Sequence, residues 1–145
     1  MKGQKVMHSH QSDLWTTPQD LFDQLNLEFK FNLDATATAD NTKCSRYITP
    51  QMDALSCDWT GNVWVNPPYS QCADFVAKAC AEVEANHAAV VVMLLPCRTD
   101  TRWFHRFVYG KHEIRLIKGR LKFGDGKNPA PFPSLLVIFR RPLEP

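Results

Sequence analysis

Apolar and polar positions divide this chain into short segments of contrasting period. Thr17-Pro18 predicts a helix start: Thr17 suits the N-cap, Pro18 the first helical position and Asp20 the first turn. Leu21, Phe22 and Leu25 supply its apolar face. Phe29-Lys30-Phe31-Asn32-Leu33-Asp34 alternates and predicts a first strand ending in a carboxylate. Residues 38–52 are polar and turn-rich, as a loop is, with Asn41, Lys43, Arg46 and Tyr47 available to ligands. Asn62-Val63-Trp64-Val65 predicts a strand that must stop at Asn66-Pro67-Pro68-Tyr69, because two prolines fix two φ angles and offer no backbone N–H. Ser70 is placed to cap a helix running to about Asn86, on which Cys72, Val76, Ala79, Cys80 and Val83 form one buried stripe. The run from Ala89 to Leu95 is apolar on both faces, as a central parallel strand is. Thr99-Asp100-Thr101 predicts the cap of a further helix with Trp103, Phe104 and Phe107 inward and Arg98, Arg102 and Arg106 four apart. Ile114 to Ile117 and Leu135 to Phe139 predict the last two strands.

Strand, crossover helix and strand make a βαβ unit, so the expected fold class is α/β. The sheet should be mainly parallel, with helices on both faces and an antiparallel closing hairpin from the strands near 114 and 136. Only about 27 residues separate Asp34 from the next strand, too few for a full set of intervening units at ordinary lengths, so a trimmed version is expected. In an open α/β sheet ligands sit at the carboxyl ends of strands, which directs Asp34 toward a crevice. No glycine occurs between Gly3 and Gly61, which argues against a dinucleotide-type phosphate cradle.

Composition narrows the class further. At 145 residues and 44% hydrophobic, the chain suits one domain, taken as residues 13–145, after a polar arm over residues 1–12 expected to be mobile. A net charge of +2 does not by itself announce a nucleic-acid partner, so any DNA-binding face must be local. Cys44, Cys57, Cys72, Cys80 and Cys97 form no Cys-x-x-Cys pair and read as reduced cytoplasmic cysteines. His8 and His10 read as solvated, and no metal is expected. The longest apolar run, Ala88 to Leu95, is far below the roughly 18 residues of a membrane span.

The Asn66-Pro67-Pro68-Tyr69 turn carries the chemistry. It presents an amide side chain, a carbonyl with no donor beside it and a large aromatic ring, a set that can grip a planar amine-bearing base. An exocyclic amine is a poor nucleophile because its lone pair is delocalised into the ring. Acceptors aimed at both N–H bonds draw that nitrogen toward tetrahedral geometry, and the Asn66 side-chain oxygen and Pro67 carbonyl are the candidates. Tyr69 can stack on a base that has left the helix. Attack on an electrophilic methyl then requires alignment more than a strong base.

Asn-Pro-Pro-Tyr resembles the catalytic motif of S-adenosylmethionine-dependent amino-methyltransferases. With Trp15-x-Thr17-Pro18, Leu33-Asp34-Ala35, Asp53-Ala54-Leu55 with Trp59, Leu95-Pro96-x-Arg98-Thr99-Asp100-Thr101, Gly119-Arg120-Leu121-x-Phe123 and Pro131-Phe132-Pro133-Ser134, the pattern over residues 13 to 140 resembles the phage-type DNA N6-adenine methyltransferases. The resemblance implies a compact, trimmed Rossmann-like methyltransferase fold and the cofactor S-adenosyl-L-methionine. It implies catalytic roles for Asn66, Pro67, Pro68 and Tyr69. Trp15, Thr17 and Pro18 would meet the methionine end of the cofactor, and Asp34 and Ala35 would replace the glycine-rich loop. Asp53 would lie beside the adenosine, with Asp40 and Asp58 as alternatives, and Asn66 would touch both cofactor and base. Double-stranded DNA is the implied substrate, in the cytoplasm of a bacterial host carrying a phage or prophage. Arg98, Arg102, Arg120 and Lys122 are the candidate DNA contacts. No insert is large enough for a recognition domain, which leaves selectivity to loops or self-association. The turn alone leaves open an RNA or protein-glutamine substrate and a non-catalytic nucleic-acid-binding relic.

Overall fold

The computed structural model describes residues 16–124 and 129–141. The expected N-terminal arm and Trp15 lie outside the described residues. The elements are α1 (Gln19–Phe29), β1 (Leu33–Asp34), β2 (Gly61–Val65), α2 (Cys72–Glu84), β3 (Ala88–Pro96), a π-helical turn (Phe104–Val108), β4 (Glu113–Leu116) and β5 (Ser134–Arg140). They form one five-stranded sheet in the order β1-β2-β3-β5-β4. β1, β2 and β3 run parallel, while β5 lies antiparallel to both β3 and β4. The closing strands pair as expected, and the last strand of the chain slots between β3 and β4.

Alternation along the strands builds two cores. On β2, Val63 and Val65 point to the α2 side while Trp64 points to the α1 side, as the two-residue period requires. The stripe Cys72, Val76, Ala79, Cys80 and Val83 is buried on α2. Phe22, Leu25 and Phe29 of α1 pack with Trp64, Val92 and Leu136 on the opposite face. The apolar β3 is therefore covered on both sides. No helix of the described residues is long and apolar enough to cross a membrane.

Several local expectations are corrected. Thr17 is not the N-cap of α1; Pro18 holds that position and Gln19 is the first helical residue. The first strand does not begin at Phe29, which ends α1. Lys30 turns left-handed (φ 52°) and donates to the Asn26 carbonyl, and the Asn26 side chain accepts Phe31 N–H at 2.8 Å. The alternating aromatics serve a ring cluster instead: Phe31 lies 5.4 Å from Phe22 and 5.6 Å from Trp64. Ser70 falls within a 3-10 turn (Tyr69–Gln71), and Gln71 is the N-cap of α2. Thr101 does accept Phe104 N–H at 3.4 Å, but only the short π-helical turn follows, with Phe104 and Val108 buried and Trp103 and Phe107 half-buried. Between β1 and β2 the described residues hold only two 3-10 turns, Pro50–Met52 and Ala54–Ser56, which is the trimming expected from the spacing.

One buried carboxylate fastens this shortened crossover. Glu82 accepts the Trp59 N–H at 2.5 Å and faces His87 Nδ1 at 2.9 Å, while the fully buried Trp59 ring donates from Nε1 to the Ala54 carbonyl at 3.0 Å. Burial alone would push the Glu82 carboxyl up. The Trp59 N–H, His87 and Lys78 outweigh it and hold the carboxyl below its ordinary 4.5. A carboxyl with a depressed native pKa stabilises the fold above its unfolded value and loses that contribution as pH falls through the native one. Glu82→Gln is therefore expected to be less stable than the parent at neutral pH, with the gap closing progressively below pH 4.5. Urea midpoints across pH check this, and a gap that persists in acid overturns it.

Candidate active site

The carboxyl ends of β1 and β2 open on a cleft of about 340 Å³. Asp34 ends β1 there, and every polar group it owns is used. Its N–H donates to the Arg46 carbonyl and its carbonyl accepts from Ile48 N–H. Its carboxylate accepts Thr36 N–H at 3.1 Å and Lys43 N–H at 3.0 Å, one on each oxygen. Burial raises its pKa, and these two backbone bonds oppose the rise. The polar stretch after β1 is thereby tied down, although Arg46 and Tyr47 turn to other work: Arg46 donates to Thr60 Oγ1 at 2.7 Å and Tyr47 bridges to Asp34. Asn41 and Lys43 remain on the cleft wall.

The double proline that ends β2 sets Asn66 at the rim. Asn66 N–H donates to Thr36 Oγ1 at 2.8 Å, and its side-chain Nδ2 donates to Thr17 Oγ1 at 3.0 Å. Thr17, buried at 6% exposure, thus spends its hydroxyl on the turn and not on the start of α1. Among the described residues the Pro67 carbonyl takes no backbone hydrogen bond, whereas that of Pro68 accepts from Gln71 N–H at 2.9 Å. The Tyr69 ring stands edge-on to Phe132 with centroids 4.6 Å apart, and burial pushes its phenol pKa up, so it stays protonated.

Of the residues singled out from the sequence, Thr17, Asp34, Ala35, Asp53, Asn66 and Pro68 share the cleft wall. Pro18, Pro67 and Tyr69 stand outside it. Asp53 adopts φ 57° and accepts from Ser56 Oγ at 2.6 Å. Asp40 and Asp58 do not line the cleft; Asp58 lies instead with Glu82 and His87 before the start of β2 and β3, their ligand-type atoms within 4.8 Å of one another. Arg98 and Arg102 are exposed beyond β3. Arg120 donates to the Ala130 carbonyl at 3.3 Å, and Lys122 bridges Pro129, so both belong to the loop leading into β5. Thr36, Gln71 and Phe75 are wall residues the sequence did not single out. Thr36 is the open position of Asp34-Ala35-x-Ala37, and its bond to Asn66 spans 30 residues, beyond the reach of any local pattern.

The wall of the cleft mixes charged, polar and apolar groups. Lys43 is its one cation among the described residues, and its Nζ donates to Gln19 Oε1 at 2.6 Å. Two carboxylates, several threonine hydroxyls and the apolar Ile48, Leu55 and Phe75 line the rest of it.

An open α/β sheet with such a cleft at its strand ends, and an amide-bearing proline turn at the rim, defines a Rossmann-like methyltransferase. The fold itself is shared with the 23S rRNA methyltransferase ErmE, at a TM-score of 0.58 and 12% identity over 91% of this chain and 71% of that one. The sequence matches the DNA N-6-adenine-methyltransferase (Dam) family over residues 4–144, and the chain belongs to that family. It is 38% identical to the DNA N-6-adenine-methyltransferase of Haemophilus phage HP1 over 136 residues, covering 88% of this chain and 78% of that one. It is also 38% identical to the DNA N-6-adenine-methyltransferase of Escherichia phage T1 over 112 residues, 75% of this chain but only 46% of the phage protein.

Because Asp34 organises the loop that forms one side of the cleft, Asp34→Ala is expected to strand two backbone N–H groups, at about 1–3 kcal/mol each. Asp34→Asn, which can accept at only one of the two positions, should fall between. Thermal melts with calorimetric titration of S-adenosylmethionine check both. A fully stable Asp34→Ala variant with unchanged affinity overturns this role.

Proposed function

We propose that this chain transfers a methyl group from S-adenosylmethionine to the N6 amine of adenine in DNA, in the cytoplasm of a bacterium carrying phage or prophage DNA. The observation that carries it is the Asn66 amide, held at the cleft rim by a rigid Pro-Pro turn, in a member of the DNA N-6-adenine-methyltransferase family. Bound S-adenosylmethionine supplies an electrophilic methyl on a sulfonium. Thr17, Ala35 and Asp53 of the wall would hold it, with Asp34 supporting the loop beside it and Pro18 flanking. Asn66 Oδ1 and the Pro67 carbonyl accept the two N–H bonds of the adenine amine and turn its lone pair toward the methyl. Tyr69, braced by Phe132, offers a ring face to an extruded base. Adenine cannot reach such a cleft from inside a duplex, so base extrusion is part of the reaction. Arg98, Arg102, Arg120 and Lys122 supply the phosphate contacts near the strand ends.

Expression in a methylation-free host followed by sequencing for modified adenine tests the reading, with purified DNA, RNA and protein compared as acceptors of labelled methyl. Label appearing in RNA or protein alone overturns it. Asn66→Ala is expected to lower kcat about a hundredfold or more, well beyond its effect on cofactor affinity, since one preorganised acceptor is lost; near-normal turnover would contradict the assignment. Lys122→Ala or Arg102→Ala should flatten the slope of log affinity against log salt by about one unit. Tyr69→Ala should weaken binding by roughly 1–3 kcal/mol with the slope unchanged. Anisotropy over a salt series separates the two behaviours.

A further inference from the structure

We infer that Lys43 receives the carboxylate of the cofactor's amino-acid tail, and so lets the cleft favour a nucleoside that carries such a tail over one that lacks it; this rests on S-adenosylmethionine as the cofactor. The tail brings a carboxylate into a cleft whose own charges are mostly of the same sign. Asp34 and Asp53 both line the wall, and among the described residues Lys43 is the one cation that does. An anion set there without a cationic partner would meet like charge and lose hydration at once. The backbone beside Asp34 offers no substitute, because the N–H groups of Thr36 and Lys43 already serve its two carboxylate oxygens.

Main chain and side chain of Lys43 are held in different ways. Its N–H is fixed at 3.0 Å on the buried Asp34 carboxylate, so the place of the residue beside the strand end is set by the floor of the cleft. Its ammonium reaches a residue 24 positions earlier in the chain, where Nζ donates to Gln19 Oε1 at 2.6 Å in an exposed contact. Gln19 is the first residue of α1, and Thr16 and Thr17 just before it line the cleft. The ammonium therefore stands where the start of α1 meets the loop after β1. Its charge is felt inside, since Lys43 is among the groups that oppose the rise in the Asp34 pKa. The bond to Gln19 does not use it up. An ammonium has three N–H donors, and a bond charged at both ends is stronger than one to a neutral amide oxygen. A flexible four-carbon stem lets the charge meet a carboxylate while the main chain stays on Asp34.

Lys43→Met keeps most of the stem and removes the charge; Lys43→Arg keeps the charge. Calorimetric titration compares three ligands: S-adenosylmethionine, its decarboxylated form, which retains the tail ammonium, and 5′-methylthioadenosine, which lacks the whole tail. In Lys43→Met the affinity for S-adenosylmethionine is expected to fall about tenfold, the low end for a hydrogen bond to a charged group because Lys43 is only half-buried. The loss should shrink as salt is raised. Affinity for the other two ligands should change less than twofold, and Lys43→Arg should recover most of the loss. Unchanged affinity for S-adenosylmethionine in Lys43→Met would overturn the inference. So would an equal loss for the decarboxylated form, or an equal loss for all three ligands in a variant that melts with the parent, since the lysine would then only shape the cleft. A flattened salt slope of DNA binding with all three affinities unchanged would move the lysine to a phosphate and overturn it too. A parent that binds the ligands yet methylates no DNA adenine would sink the acceptor reading alone, with Lys43 still decided by the affinities. A parent that binds none of them would sink the cofactor reading and this inference together.

Discussion

The buried carboxylate of Asp34 is the constraint on which the rest of the site depends. Methyltransferase clefts need backbone to pass close to a ligand, and a glycine-rich loop is one way to achieve it. This chain has no glycine there and relies on hydrogen bonding. One side chain and its own peptide groups bind Thr36, Lys43, Arg46 and Ile48 at once, folding the polar stretch after β1 back along the sheet edge. Thr36, oriented by that contact, then receives the Asn66 N–H. The wall of the cleft and the amide at its rim are therefore parts of one hydrogen-bonded chain. The cost of burying a carboxylate, visible as its raised pKa, is what this arrangement offsets.

The same economy appears in the crossover between β1 and β2, where a helix would ordinarily cover the sheet. Here a single tryptophan takes much of that role. Trp59 is wholly buried against Phe75 of α2, its main chain held by Glu82 and its indole N–H spent on Ala54. The carbonyl it holds belongs to the segment that carries Asp53 into the cleft wall. A side chain on the outer helix thus reaches the site through two hydrogen bonds, without any contact to the ligand space.

What could be read from the sequence follows how local each signal is. The run Ala89 to Leu95 and the stripe on α2 were legible because burial on both faces, or on one, imposes a period that neighbouring residues share. The turn at Asn66 was legible because proline acts on its own backbone. Phe29 to Asp34 misled because alternating aromatics satisfy a ring cluster at a helix end as well as a strand, and only Leu33–Asp34 found a partner. Thr17 misled for a similar reason: a hydroxyl before proline suits a helix cap, yet a tertiary acceptor role 49 residues away took precedence. Thr36 gave no signal at all, since nothing nearby in sequence marks it. The short π-helical turn was missed because a hydroxyl such as that of Thr101, which accepts Phe104 N–H, looks the same in sequence whether one turn follows or four.

Two demands meet in the described residues. Methyl transfer wants groups that do not move, and the structure places the amide, its two threonines and the proline carbonyl on strand ends and short bonded turns. Holding DNA wants charge spread over a surface, and the candidate cations stand apart from that core, beyond β3 and on the loop into β5. That loop is not independent of the site. Phe132 within it braces Tyr69, the Pro133 carbonyl accepts Cys97 N–H at 2.8 Å, and Gly124 N–H reaches the Thr16 carbonyl beside Thr17. The loop into β5 and the two sides of the Asn66 turn are thus joined by contacts within the protein.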